Sequence, residues 1–198
     1  KNNLLNGLAL IWYRGGQLNE QGNYVDDKEE GLWKSWYENG QEKDEGSYKA
    51  GNMQGDWKGW YENGKLKYEG IQAGNLKEGH WKYYYDNGAL QREGDFSKDL
   101  KEGHWVYLQP SGIKIQEGNY KDDKLDGKWN FYYETGVLMQ EKNLTNGQPS
   151  GKCISYFPDS KIESTTEYTL EKDKSGLVHS VSTGEWTFYD KKGNIQRK

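Results

Sequence analysis

The chain has one cysteine in 198 residues, Cys153, so no intrachain disulfide can form. No apolar run approaches the roughly 18 residues of a membrane span. No stretch carries helical periodicity. Hydrophobic residues are sparse: mean hydropathy is -1.19 and 29% of residues are charged. That balance usually marks a disordered chain. Basic charge is also short. Net charge is -4 and the pI about 5.5, which removes the general attraction to nucleic acid and disfavours contact with anionic lipid. A lone cysteine fits the cytoplasm, but exported or cell-envelope locations stay open. The chain begins at Lys1 rather than Met, which leaves room for a removed signal or lipid anchor.

Aromatics are what the chain does have, at 15% with 9 Trp and 16 Tyr. Large rings bury roughly 150–250 Å² each, enough to hold a thin structure with little interior. They are not scattered. Glycines recur every 24 residues at Gly7, Gly31, Gly55, Gly79, Gly103, Gly127 and Gly151, with an eighth copy starting at Gly184. A fixed period of this size marks a repeat architecture. Counting the leading glycine as zero, position two is Trp33, Trp57, Trp81, Trp105, Trp129 and Trp186, with Ala9 and Cys153 in the other two copies. Position five is Trp12, Trp36, Trp60, Tyr84, Leu108, Tyr132, Tyr156 and Tyr189. These two columns hold every tryptophan. Position six is mostly Tyr, position nine mostly Gly, position eleven mostly aliphatic, and position fourteen Glu in five copies (Glu45, Glu69, Glu93, Glu117, Glu141).

Each copy reads as strand, tight turn, strand and polar link. Asn39-Gly40, Asn63-Gly64 and Asn87-Gly88 sit between β-prone runs, a hairpin signal resting on the tolerance of both residues for positive φ. The links, such as Lys49–Gln54, are charged and rich in turn formers. Alternation puts positions two, four and six on one face and three and five on the other. Same-column tryptophans fall two strands apart, roughly 9.6 Å, and second-strand residues such as Leu66 and Leu90 are expected to fill the gaps. The extra residues at 169–183 read as a longer hairpin connection or loop. Residues 1–198 form one repeat array on this reading.

With Gly-x-Trp-x-x-(aromatic)-Tyr-(Glu/Asp)-Asn-Gly-x-Leu assembled, the chain resembles the MORN-repeat superfamily. It is most similar to the bacterial variant of the YwqK-type antitoxin family, as in Gly31–Gly40 and Gly79–Gly88. The resemblance implies hairpins stacked into an elongated single-layer antiparallel sheet of about eight repeats, with protein binding as the expected role.

No unique catalytic constellation emerges. His80 and His104 each precede a column tryptophan, a spacing that repeat duplication explains; roughly 10 Å between them is too far to share a Zn²⁺. His179 reads as a surface-loop residue. Cys153 has no histidine in its own copy to act as base. Gly147–Cys153 is one residue short of a phosphate loop and opens no helix. Asp122–Gly127 lacks the alternating ligands of a Ca²⁺ loop. The glutamate column suits cross-strand pairing with Lys34, Lys58 and Lys82 better than a glycosidase pair. The expectation is therefore a non-enzymatic scaffold, with no catalytic residues, metal or cofactor, that binds another protein and acts as an antitoxin or immunity protein. Its candidate stripe is Trp12, Trp36, Trp60, Tyr84, Tyr132, Tyr156 and Tyr189. The alternative is a carbohydrate-binding or envelope-associated module.

Overall fold

The structure, a computed structural model, describes residues 4–197. These residues are all-β, with no helix among them. They fall into two compact units that divide between Leu100 and Lys101. The first holds β1 (Gly7–Trp12), β2 (Leu18–Val25), β3 (Lys28–Trp36), β4 (Glu42–Lys49), β5 (Asn52–Trp60), β6 (Leu66–Ala73), β7 (Leu76–Tyr84) and β8 (Leu90–Ser97). Next come β9 (Leu100–Leu108), β10 (Lys114–Lys121), β11 (Lys124–Tyr132), β12 (Leu138–Thr145), β13 (Gln148–Tyr156), β14 (Ile162–Lys172), β15 (Val178–Ser182), β16 (Thr187–Tyr189) and β17 (Ile195–Arg197). Within the first unit every strand pairs antiparallel with its chain neighbour. The same holds from β9 to β14 in the second. These are open antiparallel sheets of stacked hairpins.

Two kinds of turn alternate, and they reverse the expectation from the Asn-Gly pairs. Inside a copy, Gly40 N–H donates to the Tyr37 carbonyl and Tyr37 N–H to the Gln41 carbonyl. Gly40 has φ 82, but Asn39 does not take positive φ. The loop is a three-residue hairpin whose glycine forms the bulge, and Asn39 serves through its side chain, accepting from Gln41 N–H at 2.9 Å. The two-residue turns with positive φ at both positions lie in the links: Asp26 and Asp27 (49, 64), Ala50 and Gly51 (50, 82), Lys98 and Asp99 (51, 68), Asp122 and Asp123 (49, 64). Such primed turns match the twist of the flanking strands. The polar links therefore shrink to two residues and the strands run longer than the aromatic core alone suggests. Successive link turns are tied together. Glu30, Glu78 and Glu102 accept the N–H of Ala50, Lys98 and Asp122 in the next turn.

The tryptophan column is packed by glycine, not by Leu66 and Leu90, which pair with Trp60 and Tyr84 on the opposite face. Each position-two ring lies over the glycine at position fifteen of the preceding copy. A Cβ built on Gly22, Gly46, Gly70 or Gly118 would stand 2.1–2.4 Å from the ring of Trp33, Trp57, Trp81 or Trp129. The ring thus bridges the two-strand gap itself. Trp81, Trp105 and Trp129 are 2%, 0% and 0% exposed, which stabilises by roughly 4–6 kcal/mol per ring relative to full exposure. Position-seventeen rings brace the row edge-on: Tyr24 and Tyr48 flank Trp33 at 5.1 and 6.0 Å, and Tyr120 stands 5.1 Å from Trp129.

Where the glycine is lost, the tryptophan changes. Lys142 takes the glycine position opposite Cys153, which takes the tryptophan position. Thr166 occupies it ahead of Trp186, whose ring is 43% exposed. The 169–183 insertion is itself a hairpin: β14 runs on to pair its outer half with β15 while its inner half pairs with β16. His179 lies within β15 opposite Glu171, in a strand rather than a loop.

Candidate functional site

Register assigns the faces. Position-two and position-four side chains share one, which we term the seam face. Positions three, five and fourteen share the other, the ladder face. In the first unit the ladder face carries a row in which Lys34, Glu45, Lys58, Glu69, Lys82 and Glu93 lie directly opposite one another across β3 to β8. Lys34 pairs with Glu42 at 3.0 Å and with Glu45, and Lys82 with Glu93 at 3.9 Å. The hydrogen bond to Lys34 holds the Glu45 carboxyl below its ordinary pKa, and those to Glu45 and Glu42 raise that of Lys34. A lysine stands between successive glutamates, so the row is an ion-pair ladder and not two carboxyls facing one cleft. In the second unit the lysine positions become Val106, Asn130 and Ile154. There Glu117 turns to Lys114 at 2.8 Å and Glu141 to Lys128 at 2.7 Å.

The histidines join the same side chains. His80 Nδ1 lies 2.8 Å from Asp95 and its Nε2 3.2 Å from Glu93. His104 Nε2 lies 3.7 Å from Glu117. Cys153 is buried, and burial pushes its thiol pKa up, the wrong direction for a nucleophile.

The position-five stripe lies on the ladder face in both units, and its members divide by chemistry. Tyr84 donates its hydroxyl to Glu69 at 2.8 Å, Tyr132 to Glu117, and Tyr156 to Glu141 at 3.3 Å. Burial, then the hydrogen bonds to Glu69 and Glu117, push the Tyr84 and Tyr132 pKa values up to about 12. These tyrosines are tied into the ladder of the preceding copy. Tyr189 is half-buried in β16. Trp12, Trp36 and Trp60 differ: among the described residues their indoles make no hydrogen bond. Trp12 is 56% exposed, and Trp36 and Trp60 are half-buried. Beside them on the ladder face stand exposed Leu8, Leu10 and Leu32. The position-six tyrosines, by contrast, clip copies together: Tyr13, Tyr37, Tyr61 and Tyr133 donate to the carbonyls of Trp36, Trp60, Tyr84 and Tyr156 at 2.6–2.9 Å.

The seam face of the first unit holds a groove of about 280 Å³ that sequence reasoning did not single out. Trp33, Tyr48, Met53, Trp57 and Tyr68 line it, together with the carboxylates of Glu20 and Asp44. Tyr68 donates to Asp44 at 2.6 Å and Ser35 to the same carboxylate at 3.2 Å. Burial and then the Asp44 bond raise the Tyr68 pKa. The tyrosine can cross to Asp44 because Gly59 lies under its ring, where a Cβ would stand 2.4 Å away. The signal was present at position four: Ser35 and Gly59 stand where later copies have Tyr83, Tyr107 and Phe131.

Matches to the model of the MORN repeat variant family cover residues 5–26, 29–50, 53–71, 77–98 and 125–146. Comparison with curated proteins gives no match. The matches 29–50, 77–98 and 125–146 run from one link turn to the next, so the family unit and the observed hairpin coincide, while 53–71 stops within β6. The copies outside the matches include those with Gln109 and Pro110 at the turn and with Cys153 in the seam. With more than half of its length inside these matches, the chain belongs to the MORN repeat variant family.

Proposed function

We propose that the chain is a non-enzymatic scaffold that binds another protein through the ladder face of its first unit, and that it acts as a toxin-neutralising antitoxin or immunity protein. One observation carries the binding reading. At position five, Trp12, Trp36 and Trp60 present indoles that take no part in the hydrogen bonding of the stack, whereas Tyr84, Tyr132 and Tyr156 are bound to it. With Leu8, Leu10 and Leu32 exposed beside them, they form the apolar, tryptophan-rich surface typical of interaction hot spots. The seam on the other face holds the stack without them. The antitoxin part rests on the resemblance of the repeat.

The test is affinity capture from native cells, followed by expression of each captured protein alone and with this chain. A captured protein that arrests growth alone and is relieved by co-expression supports the reading. Capture of proteins harmless on their own overturns the antitoxin part. The variant Leu10→Lys/Trp12→Ser, with its near-ultraviolet dichroism unchanged, should lose capture. Full retention overturns the assignment of this face.

A further inference from the structure

We infer that the groove on the seam face of the first unit binds a lysine side chain, its ammonium seated against Trp33, Tyr48 and Trp57 and paired with Asp44. The argument is a comparison of copies. In copy four, Lys77 brings its own Nζ to 5.3 Å from the Trp81 centroid, 5.8 Å from Tyr83 and 5.1 Å from Phe96. In copy five, Lys101 Nζ lies 5.3 Å from Trp105, 5.9 Å from Tyr107 and 4.7 Å from Tyr120. Three rings, at positions two, four and seventeen, surround a lysine two residues before the leading glycine. The box is an ammonium site that the chain fills itself.

Copies two and three together keep part of the box and lose its lysine. Trp33, Tyr48 and Trp57 remain, with Tyr48 edge-on to both indoles at 6.0 and 5.3 Å. The lysine position is now Glu29 in copy two and Met53 in copy three, and the position-four ring is Ser35 and Gly59. The vacated space is the groove. The carboxylates of Glu20 and Asp44 line it, together with Lys34 and Lys43. The lysines nearby point their charge elsewhere. Lys34 is held on the opposite face by Glu42 and Glu45, and Lys43 Nζ lies over the Tyr37 ring at 5.9 Å.

An aromatic box with a carboxylate, open to solvent, matches an ammonium brought from outside. The lysine is placed on a partner protein, and that clause alone rests on the reading of the chain as a protein-binding scaffold. The ammonium site itself does not. The probe is N-acetyl-lysine methylamide, titrated into the full chain with indole N–H signals followed by NMR. Saturable shifts of the Trp33 and Trp57 signals are expected, with none from the uncharged norleucine analogue. Asp44→Asn should weaken binding about tenfold. Because Asp44 also holds Tyr68, a second variant is needed. Glu29→Lys/Ser35→Tyr rebuilds the closed box of copy four and should abolish probe binding while leaving the fold intact. Equal shifts from lysine and norleucine probes, or unchanged binding in the rebuilt box, overturn the inference. Tetramethylammonium binding more tightly than the lysine probe overturns the choice of lysine. None of these outcomes bears on capture through the ladder face, so the two proposals fail separately.

Discussion

The glycine under the seam tryptophan can be tested at Gly118, where the ring above it is fully buried. An alanine Cβ there would stand 2.4 Å from Trp129 Cδ2 and 2.5 Å from Cγ and Cε2. Ordinary contact starts at 3.4 Å, so the indole must retreat by about 1 Å, the difference between those distances. It has little freedom to do so. The ring is 0% exposed, stands edge-on to Tyr120, and donates Nε1 to the Asn119 carbonyl at 2.8 Å. Overpacking of this kind costs about 1–3 kcal/mol, and a weakened indole hydrogen bond adds about 0.5–1.5 kcal/mol. Against this, alanine gains about 0.5–1 kcal/mol over glycine in a strand. Gly118→Ala should therefore destabilise by about 1–3 kcal/mol. Trp129→Ala alone should cost about 3–5 kcal/mol. In the Trp129→Ala background the alanine at 118 meets no ring and should be neutral or stabilising. The double-mutant cycle then shows a coupling of about 2 kcal/mol. Repeat arrays need not unfold as one unit, so amide exchange in β10 and β11 is the measurement, with urea unfolding as support. Greater protection in Gly118→Ala, or additivity in the cycle, would refute the seam argument.

Four further outcomes follow from the same structure. Ala50 sits at φ 50, where a Cβ is strained, so Ala50→Gly should raise the urea midpoint, by about 0.5–1 kcal/mol of stability. Tyr37→Phe removes the clip to the Trp60 carbonyl and should cost about 0.5–1.5 kcal/mol by chemical denaturation. At His80, burial opposes the charged ring but hydrogen bonds to Asp95 and Glu93 outweigh it, raising the pKa above 6.5. A raised folded pKa means the stabilisation is full below the unfolded value and fades as pH climbs through the folded one. NMR titration should show that raised pKa, and the stability gap between wild type and His80→Gln should shrink with rising pH. Finally, Lys142→Gly/Cys153→Trp restores a seam pair. It should be more stable to urea than Cys153→Trp alone, which sets an indole against the lysine stem.

The fold was legible because the repeat reports its constraints many times over. Seven phase-locked copies, and an eighth after an insertion, fixed the period, the all-β character and the two faces. The glutamate column, with Lys34, Lys58 and Lys82 opposite, was readable as a ladder for the same reason. What escaped was relational. The glycine at position fifteen drew no packing role, because nothing along the chain says that the next copy's tryptophan lies over it. The Asn-Gly pairs misled because a positive φ is needed only at the glycine, while Asp26-Asp27 and Ala50-Gly51 adopt the primed turn without an Asn-Gly signature. The groove was hidden by averaging. Position four varies from copy to copy, so Ser35 and Gly59 do not stand out along the chain, whereas their smallness opens the space that Tyr68 and Asp44 line.

Redundancy also explains where function can reside. A seam pair such as Gly46 and Trp57 and a clip such as Tyr37 to Trp60 join the same two copies. With two separate devices at one junction, a copy can give up one column without losing its place in the stack. Copy two gives up its position-four ring at Ser35, and copy three gives up two aromatic positions, at Gly59 and Gln72, yet Trp33 and Trp57 stay 8% and 7% exposed. At Lys142 and Cys153 the glycine and the tryptophan are given up together, whereas at Thr166 the glycine alone is lost and Trp186 is left 43% exposed. A departure that is repaired is thus paired across its junction. Gly59 has a compensating neighbour in Tyr68, whose ring lies over it; Ser35 has none, and the space beside it is lined by carboxylates instead of being refilled by a larger side chain. That asymmetry separates a copy that has been repaired from one that has been opened.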